Sequence, residues 1–160
     1  MQHDRKSAIR QDLVSAQRDL CDLLDRLGPD DWLRAGPANE GWTIRDLVTH
    51  LTTSETGFVP TLRRMARGDG GVPTDFDPNR WNASQLRRRA EIPADQLRPE
   101  LEKSHAEMLE LLDSLDETAL NHRGHLSSGV EGSTEDNFRL VASHKREHTE
   151  QMRAALPSRV

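Results

Sequence analysis

Apolar residues recur at Ile9, Leu13, Ala16, Leu20, Leu24 and Leu27, a 3.6-residue period that stops at Gly28-Pro29. That period predicts one long amphipathic helix from Asp4 to Leu27. After a polar connection carrying Trp32, Pro37 and Gly41, the segment Trp42-Thr-Ile-Arg-Asp-Leu47 predicts a helix start. Thr43 is the N-cap, Asp46 its capping-box partner, and Trp42 staples against Leu47. The stripe continues through Val48, Leu51, Phe58, Leu62 and Met65 to Gly68, with Pro60 expected to kink or break the helix near Val59. Gly68 to Asp77 reads as a loop, and Asp77-Pro78 opens a third arm over 78–115. Trp81, Ala83, Leu86, Leu97, Leu101, Met108, Leu111 and Leu115 mark that arm, which is expected to bend or restart at Pro93 or Pro99. A loop from Leu120 to Gly132 leads to Ser133 or Thr134 as the N-cap of a last helix, whose stripe is Phe138, Val141, His144, His148, Met152 and Ala155. The tail from Pro157 is expected to fray. Four such arms predict an all-α four-helix bundle, with residues 1–160 forming one domain.

Composition narrows the classes of function. The hydrophobic fraction is 34%, the charged fraction 31% and the mean hydropathy −0.79, a balance that suits helices burying one stripe and solvating the rest. The 22 basic residues are dispersed among 27 acidic ones, giving a net charge of −5 and no continuous basic surface, so nucleic acid is not an expected partner. No run of apolar residues reaches membrane-spanning length and no apolar core follows the first charges, so the expectation is a cytoplasmic protein without a membrane partner. Cys21 is the single cysteine and excludes an intramolecular disulfide. It flanks the stripe of the first helix, with no neighbouring base to make it a nucleophile.

The polar residues on the inward stripes carry the candidate chemistry. His144 and His148 are four apart and share the core-facing side of the last helix. Two readings are open for this pair: buried rings satisfied separately by a carbonyl or carboxylate, or two ligands of one metal ion. His50, one residue before Leu51, faces the core edge of the second helix and would complete a set of three imidazoles. Catalytic zinc uses such a set and keeps a fourth position open. The segment His144-Lys-Arg-Glu-His148 also matches the His-x-x-Glu-His pattern of inverted zinc proteases. Only 12 residues follow His148, with Glu150 their one side-chain carboxylate, so a third protease ligand is missing. Glu147 reads as a solvated carboxylate or as an orienter of one imidazole. His105, His122 and His125 read as surface residues, His3 as terminal, and Arg87-Arg-Arg89 as a solvated charge run. No Ser-His-Asp order, phosphate loop or Cys-x-x-Cys competes.

Gly41-Trp-Thr-Ile-Arg-Asp-Leu-Val-Thr-His50-Leu resembles the second-helix signature of the DinB-like superfamily of metal-binding four-helix bundles, and His144-Lys-Arg-Glu-His148-Thr-Glu-Gln resembles its closing ligand motif. The superfamily includes the N-terminal domain of mycothiol-dependent maleylpyruvate isomerase, which has a glutamate where this chain has His144. The resemblance implies a divalent ion, zinc or nickel, held by His50, His144 and His148. It implies a homodimer and an enzyme that transfers a low-molecular-weight thiol, mycothiol or bacillithiol, to an electrophilic small molecule. A metal-dependent hydrolase that confers toxin resistance, and a non-catalytic metal-stabilised binding protein, are the alternatives. Two readings are open for Trp42, Trp81 and Asn82: packing or capping of the bundle, or the lining of a substrate pocket, with the indoles for apolar contact and Asn82 for a polar one.

Overall fold

The computed structural model describes residues 2–37 and 41–158, with the backbone alone for residues 2–4. The side chain of His3 and the last two tail residues fall outside that set. Five helices form: α1 (Gln2–Leu24), α2 (Ile44–Ala66), α3 (Pro78–Arg88), α4 (Ala94–Ser114) and α5 (Thr134–Ala155). Helix α1 ends at Leu24, one turn short of the expected Leu27, and a 3-10 segment Pro29–Leu33 follows. Helices α2 and α5 begin on reciprocal caps. Thr43 Oγ1 accepts from Asp46 N at 3.1 Å while Thr43 N donates to Asp46 Oδ2 at 3.0 Å. Ser133, rather than Thr134, makes the same pair of bonds with Asp136 at 3.0 and 2.7 Å.

The two prolines in the middle of the chain act differently from each other. Helix α2 runs unbroken through Pro60, so the expected break does not occur. Pro60 faces solvent, where water can take up the carbonyl its ring frees. Pro93, by contrast, ends the third arm as a single element: the chain stops at Arg88 and restarts at Ala94, while Pro99 lies within the first turns of α4. The carbonyls left over at this break are capped by one guanidinium. Arg45 Nη2 donates to Arg89 O at 3.0 Å and also to Ile92 O.

The bundle proper is α1, α2, α4 and α5. Helix α1 packs chiefly on α5, and α2 packs on both α4 and α5. Helix α3 lies outside, against α2, and none of its residues is buried; its Trp81 and Leu86 face a cavity instead of the core. Two apolar layers fill the bundle. One holds Ile9, Leu13, Phe58, Leu62, Met108, Phe138 and Val141. The other holds Leu20, Leu24, Leu47, Leu51, Leu97, Leu101 and Met152. On each helix the residues between these two sets are polar and buried: Gln17 on α1, Ser54 and Glu55 on α2, Ser104 on α4, Lys145, His148 and Thr149 on α5. A polar waist therefore divides the core; His144 and His148 lie in it, and His50 sits one turn before Ser54 at its edge.

The expected loop after Leu120 contains a hairpin, β1 (Arg123–His125) paired antiparallel with β2 (Glu131–Ser133). It rests on the connection between α2 and α3, where Val72 N donates to His125 O at 2.9 Å. Two glycines allow this approach. A Cβ on Gly71 would lie 2.0 Å from His125 O, and one on Gly124 would lie 2.5 Å from Gly71 N. The contact brings the hairpin turn and the α2–α3 connection to one side of α2, where both wall the cavity.

Candidate metal centre

His50 follows Leu47 by three residues on α2, and the same turn that buries Leu47 and Leu51 carries His50 to 7% exposure. On α5, the four-residue spacing places His144 and His148 on one side, facing His50. The three rings meet at their Nε2 atoms: His50 to His144 at 2.9 Å, and His148 to His144 at 3.1 Å. All three pairs of rings are edge-on, with centroids 4.5–4.9 Å apart. Trp42 backs His50 at 5.2 Å, and Phe58 backs His144 at 6.0 Å.

The outer nitrogens are held separately. His148 Nδ1 donates to Gln151 Oε1 at 2.6 Å, which puts the ring proton on Nδ1 and leaves the Nε2 lone pair free. His50 Nδ1 lies 3.4 Å from Ser54 Oγ. Burial pushes the His50 imidazole down to about 4, and the charge His148 would carry pushes the same way. His144 is driven down to about 3 by burial and then by His148 and His50. His148 is also lowered, again chiefly by burial. At neutral pH the three rings are therefore uncharged and at most one inner nitrogen can share a proton with its neighbours, so lone pairs face lone pairs.

This donor set fits a divalent cation. Tetrahedral nitrogen ligands at about 2.0–2.1 Å from zinc lie about 3.3–3.4 Å from each other, close to the spacing seen here. The three ligand nitrogens all lie within 4.8 Å of one another, and among the described residues no further His, Cys, Asp or Glu joins the cluster. Three protein ligands leave a coordination position for something else. The three histidines line a cavity of about 920 Å³, together with Trp42, Ser54, Trp81 and Asn82. Trp42, Trp81 and Asn82, the candidates for pocket lining, all face this cavity. Asn82 raises the His50 imidazole slightly against the effect of burial.

Other sequence expectations need correcting. His105 is not a surface residue: its side chain is 13% exposed, with Nδ1 3.7 Å from Glu55 Oε1. It belongs to a buried network in which Lys145 Nζ meets Glu55 Oε2 at 2.5 Å and donates to Gln17 Oε1 at 2.7 Å. Burial alone would raise the Glu55 carboxyl, but His105 and Lys145 outweigh it and hold the group below its ordinary range. Lys145 hides between two histidines of the same motif, and nothing in its local sequence distinguishes it from the solvated Arg146 and Glu147. Its helical angle, one position from His144 on the side that carries Val141, is the available signal. His125 is half-buried in β1, while His122, although exposed, engages Ala66 O at 2.7 Å through Nδ1. Glu147 is exposed and reaches His148 only as a weak field. Cys21 is half-buried at the core edge, with its thiol pushed up by burial.

The sequence model of the DinB superfamily matches residues 12–152. No curated protein matches the chain. An uncharacterised protein from Escherichia coli UTI89 is similar in structure at TM-score 0.75 and 18% identity, over 94% of this chain and 91% of that one. YfiT from Bacillus subtilis, described as a probable metal-dependent hydrolase with an unusual four-helix bundle topology, is similar at TM-score 0.76 and 17% identity, over 92% of this chain and 83% of YfiT. Mycothiol-dependent maleylpyruvate isomerase is similar at TM-score 0.74 and 16% identity, with 95% of this chain aligned to 60% of the isomerase. At these identities the likeness concerns the fold.

Proposed function

The chain belongs to the DinB superfamily, and from that premise we propose that His50, His144 and His148 hold a divalent zinc or nickel ion and that the protein is a metal-dependent transferase of a low-molecular-weight thiol. The observation that carries the reading is the convergence of three neutral imidazole nitrogens at the head of a 920 Å³ cavity. Such an ion, when bound, supplies a Lewis acid that favours the thiolate form of a thiol or lowers the pKa of water. The chain's own residues do the rest. Gln151 and Ser54 aim the rings from behind, and Trp42 and Phe58 exclude water from their flanks.

The cavity lining suits a thiol as the nucleophile. Among the described residues it contains no Asp or Glu, and the three imidazoles are committed as ligands, so a nucleophile there would lose its proton to solvent. A thiol such as mycothiol or bacillithiol starts nearer ionisation, at a pKa of about 8.5, and can lose its proton to solvent without a protein base. Its thiolate sulfur then forms the new bond to an electrophilic carbon as that carbon's bond to its leaving group breaks, chloride in the case of a chlorodinitrobenzene. A cavity of this volume can take both a thiol and a small-molecule electrophile. Likeness in fold to YfiT, a probable metal-dependent hydrolase, supports a second reading, in which the same site hydrolyses its substrate.

The test compares metal-loaded with metal-stripped protein, using mycothiol, bacillithiol or water alone as nucleophile toward a chlorodinitrobenzene. The expected result is metal-dependent conjugation that requires a thiol and is lost in His50→Ala while far-ultraviolet circular dichroism is unchanged. Metal-dependent turnover with water alone would transfer the assignment to the hydrolase. Equal rates with and without metal would reduce the protein to a binding module.

A further inference from the structure

Charge in the cavity is one-sided. Among the described residues, Arg64 is the only Lys or Arg that lines it, and no carboxylate there offsets that charge. Arg64 donates from Nη2 to Gly71 O at 2.7 Å and belongs to no ion pair among the described residues. Its remaining N–H donors are thus free for a ligand. Position on α2 relates it to the triad. His50, Ser54, Gly57, Thr61 and Arg64 are spaced 4, 3, 4 and 3 residues apart, one continuous stripe along the helix, and all five line the cavity. The 14 residues from His50 to Arg64 correspond to about 21 Å of helix. The cavity is therefore a groove along α2 with the imidazoles at one end and a guanidinium at the other.

Its middle is aromatic and apolar. Phe58 is on α2, Trp81 lies over Gly57, where a Cβ would be 3.6 Å from the indole, and Phe76 stands 6.4 Å from Trp81. The indole therefore lies within contact distance of the helix at Gly57.

We infer that the groove binds an elongated carboxylic acid with an apolar, aryl-bearing body, its carboxylate paired with Arg64 and its opposite end reaching toward the three histidines. A planar carboxylate matches the guanidinium fork, and a positive end with no acidic wall rejects amines. The choice of reacting end rests on the proposed function; the pairing with Arg64 does not.

Tryptophan fluorescence, with Trp42 and Trp81 in the groove, measures binding of ω-phenylalkanoates from phenylacetate to phenyldecanoate, beside the matched primary amides and amines. Zinc-replete and metal-stripped protein are titrated in parallel, and metal content is measured on the same samples. The expected result is affinity that rises with chain length and a carboxylate preference over amide of at least about tenfold, the lower end for a charge-assisted pair at a partly exposed guanidinium. Arg64→Gln should erase that preference while leaving amide affinity unchanged, and Arg64→Lys should keep most of it. A carboxylate preference that survives Arg64→Gln, equal binding of acids and amides, or no saturable binding up to millimolar ligand would each overturn the inference. If no metal binds but the Arg64-dependent preference appears, the inference stands and the proposed function falls. If metal binds stoichiometrically without the preference, the reverse holds.

Discussion

Replacing Lys145 with Met should cost this protein more stability than any single substitution at the histidines. Lys145 and Glu55 are each 2% exposed, and their 2.5 Å contact joins α5 to α2 through the polar waist. Removing the ammonium strands a carboxylate whose nearest remaining cation source is His105, at 3.7 Å and charged only if protonated. Breaking a buried pair from one side costs about 3–5 kcal/mol. For a chain of this size each 1 kcal/mol lowers the melting temperature by about 2–4 °C, so the variant should melt about 6–20 °C lower. Without Lys145 the Glu55 carboxyl loses one of the two groups that oppose its burial, so its folded pKa rises from its depressed value. A depressed carboxylate contributes stability above its unfolded pKa and loses it as pH falls through the folded value, and the variant lacks part of that contribution, so the deficit should be larger at neutral pH than at about pH 3. Replacing both partners, Glu55→Leu with Lys145→Met, removes both charges and should recover most of the loss, which a double-mutant cycle from urea unfolding would show as strong coupling. A single variant that loses no more than a surface substitution, or a double variant whose loss equals the sum of the singles, would refute this reasoning about the waist.

Further outcomes are expected elsewhere. Gly71→Ala places a methyl 2.0 Å from a backbone oxygen that cannot rotate away, so the hairpin and the α2–α3 connection must separate. The expected cost is about 1–3 kcal/mol, read as a lower melting temperature and as faster amide exchange at Val72. Asp136 is held below the usual carboxylate range chiefly by the Ser133 N–H and then by its side chain. A depressed carboxylate contributes stability above its unfolded pKa and loses it as pH falls through the folded value, so Asp136→Asn should flatten the decline of melting temperature below about pH 4. An unchanged acid profile would remove Asp136 from the capping of α5.

The parts legible from sequence are those decided within a few residues. The capping box at Thr43 uses bonds between residues three apart, so its spelling alone specifies it, whereas the start of α5 reads as Ser133 or Thr134 until the bonds to Asp136 select Ser133. The inward placement of His50, His144 and His148 follows from helical period, because the apolar residues on either side of each determine which way that turn faces. Pro60 and Pro93 have the same local effect on a backbone, and the difference between them is tertiary. One faces water, while the other sits beside Arg45, whose guanidinium caps the broken end. The hairpin leaves no periodic trace because its strands are three residues long and owe their place to a backbone contact with Gly71. Apolar periodicity reads α3 as core, whereas Trp81 and Leu86 face a cavity. Lys145 and Glu55 stay hidden for a related reason: a charge is assigned to solvent by default, and only the opposite charge on another helix reverses that.

The central claim is that the three converging imidazoles form a metal site, and X-ray absorption at the metal edge with elemental analysis on the same purified protein tests it most directly. The expected result is one zinc or nickel per chain with three nitrogen scatterers at about 2.0–2.1 Å, and loss of that ion in the His144→Ala, His148→Ala double variant. Protein that stays metal-free after incubation with either ion, or a double variant that retains one ion per chain in unchanged coordination, would contradict it.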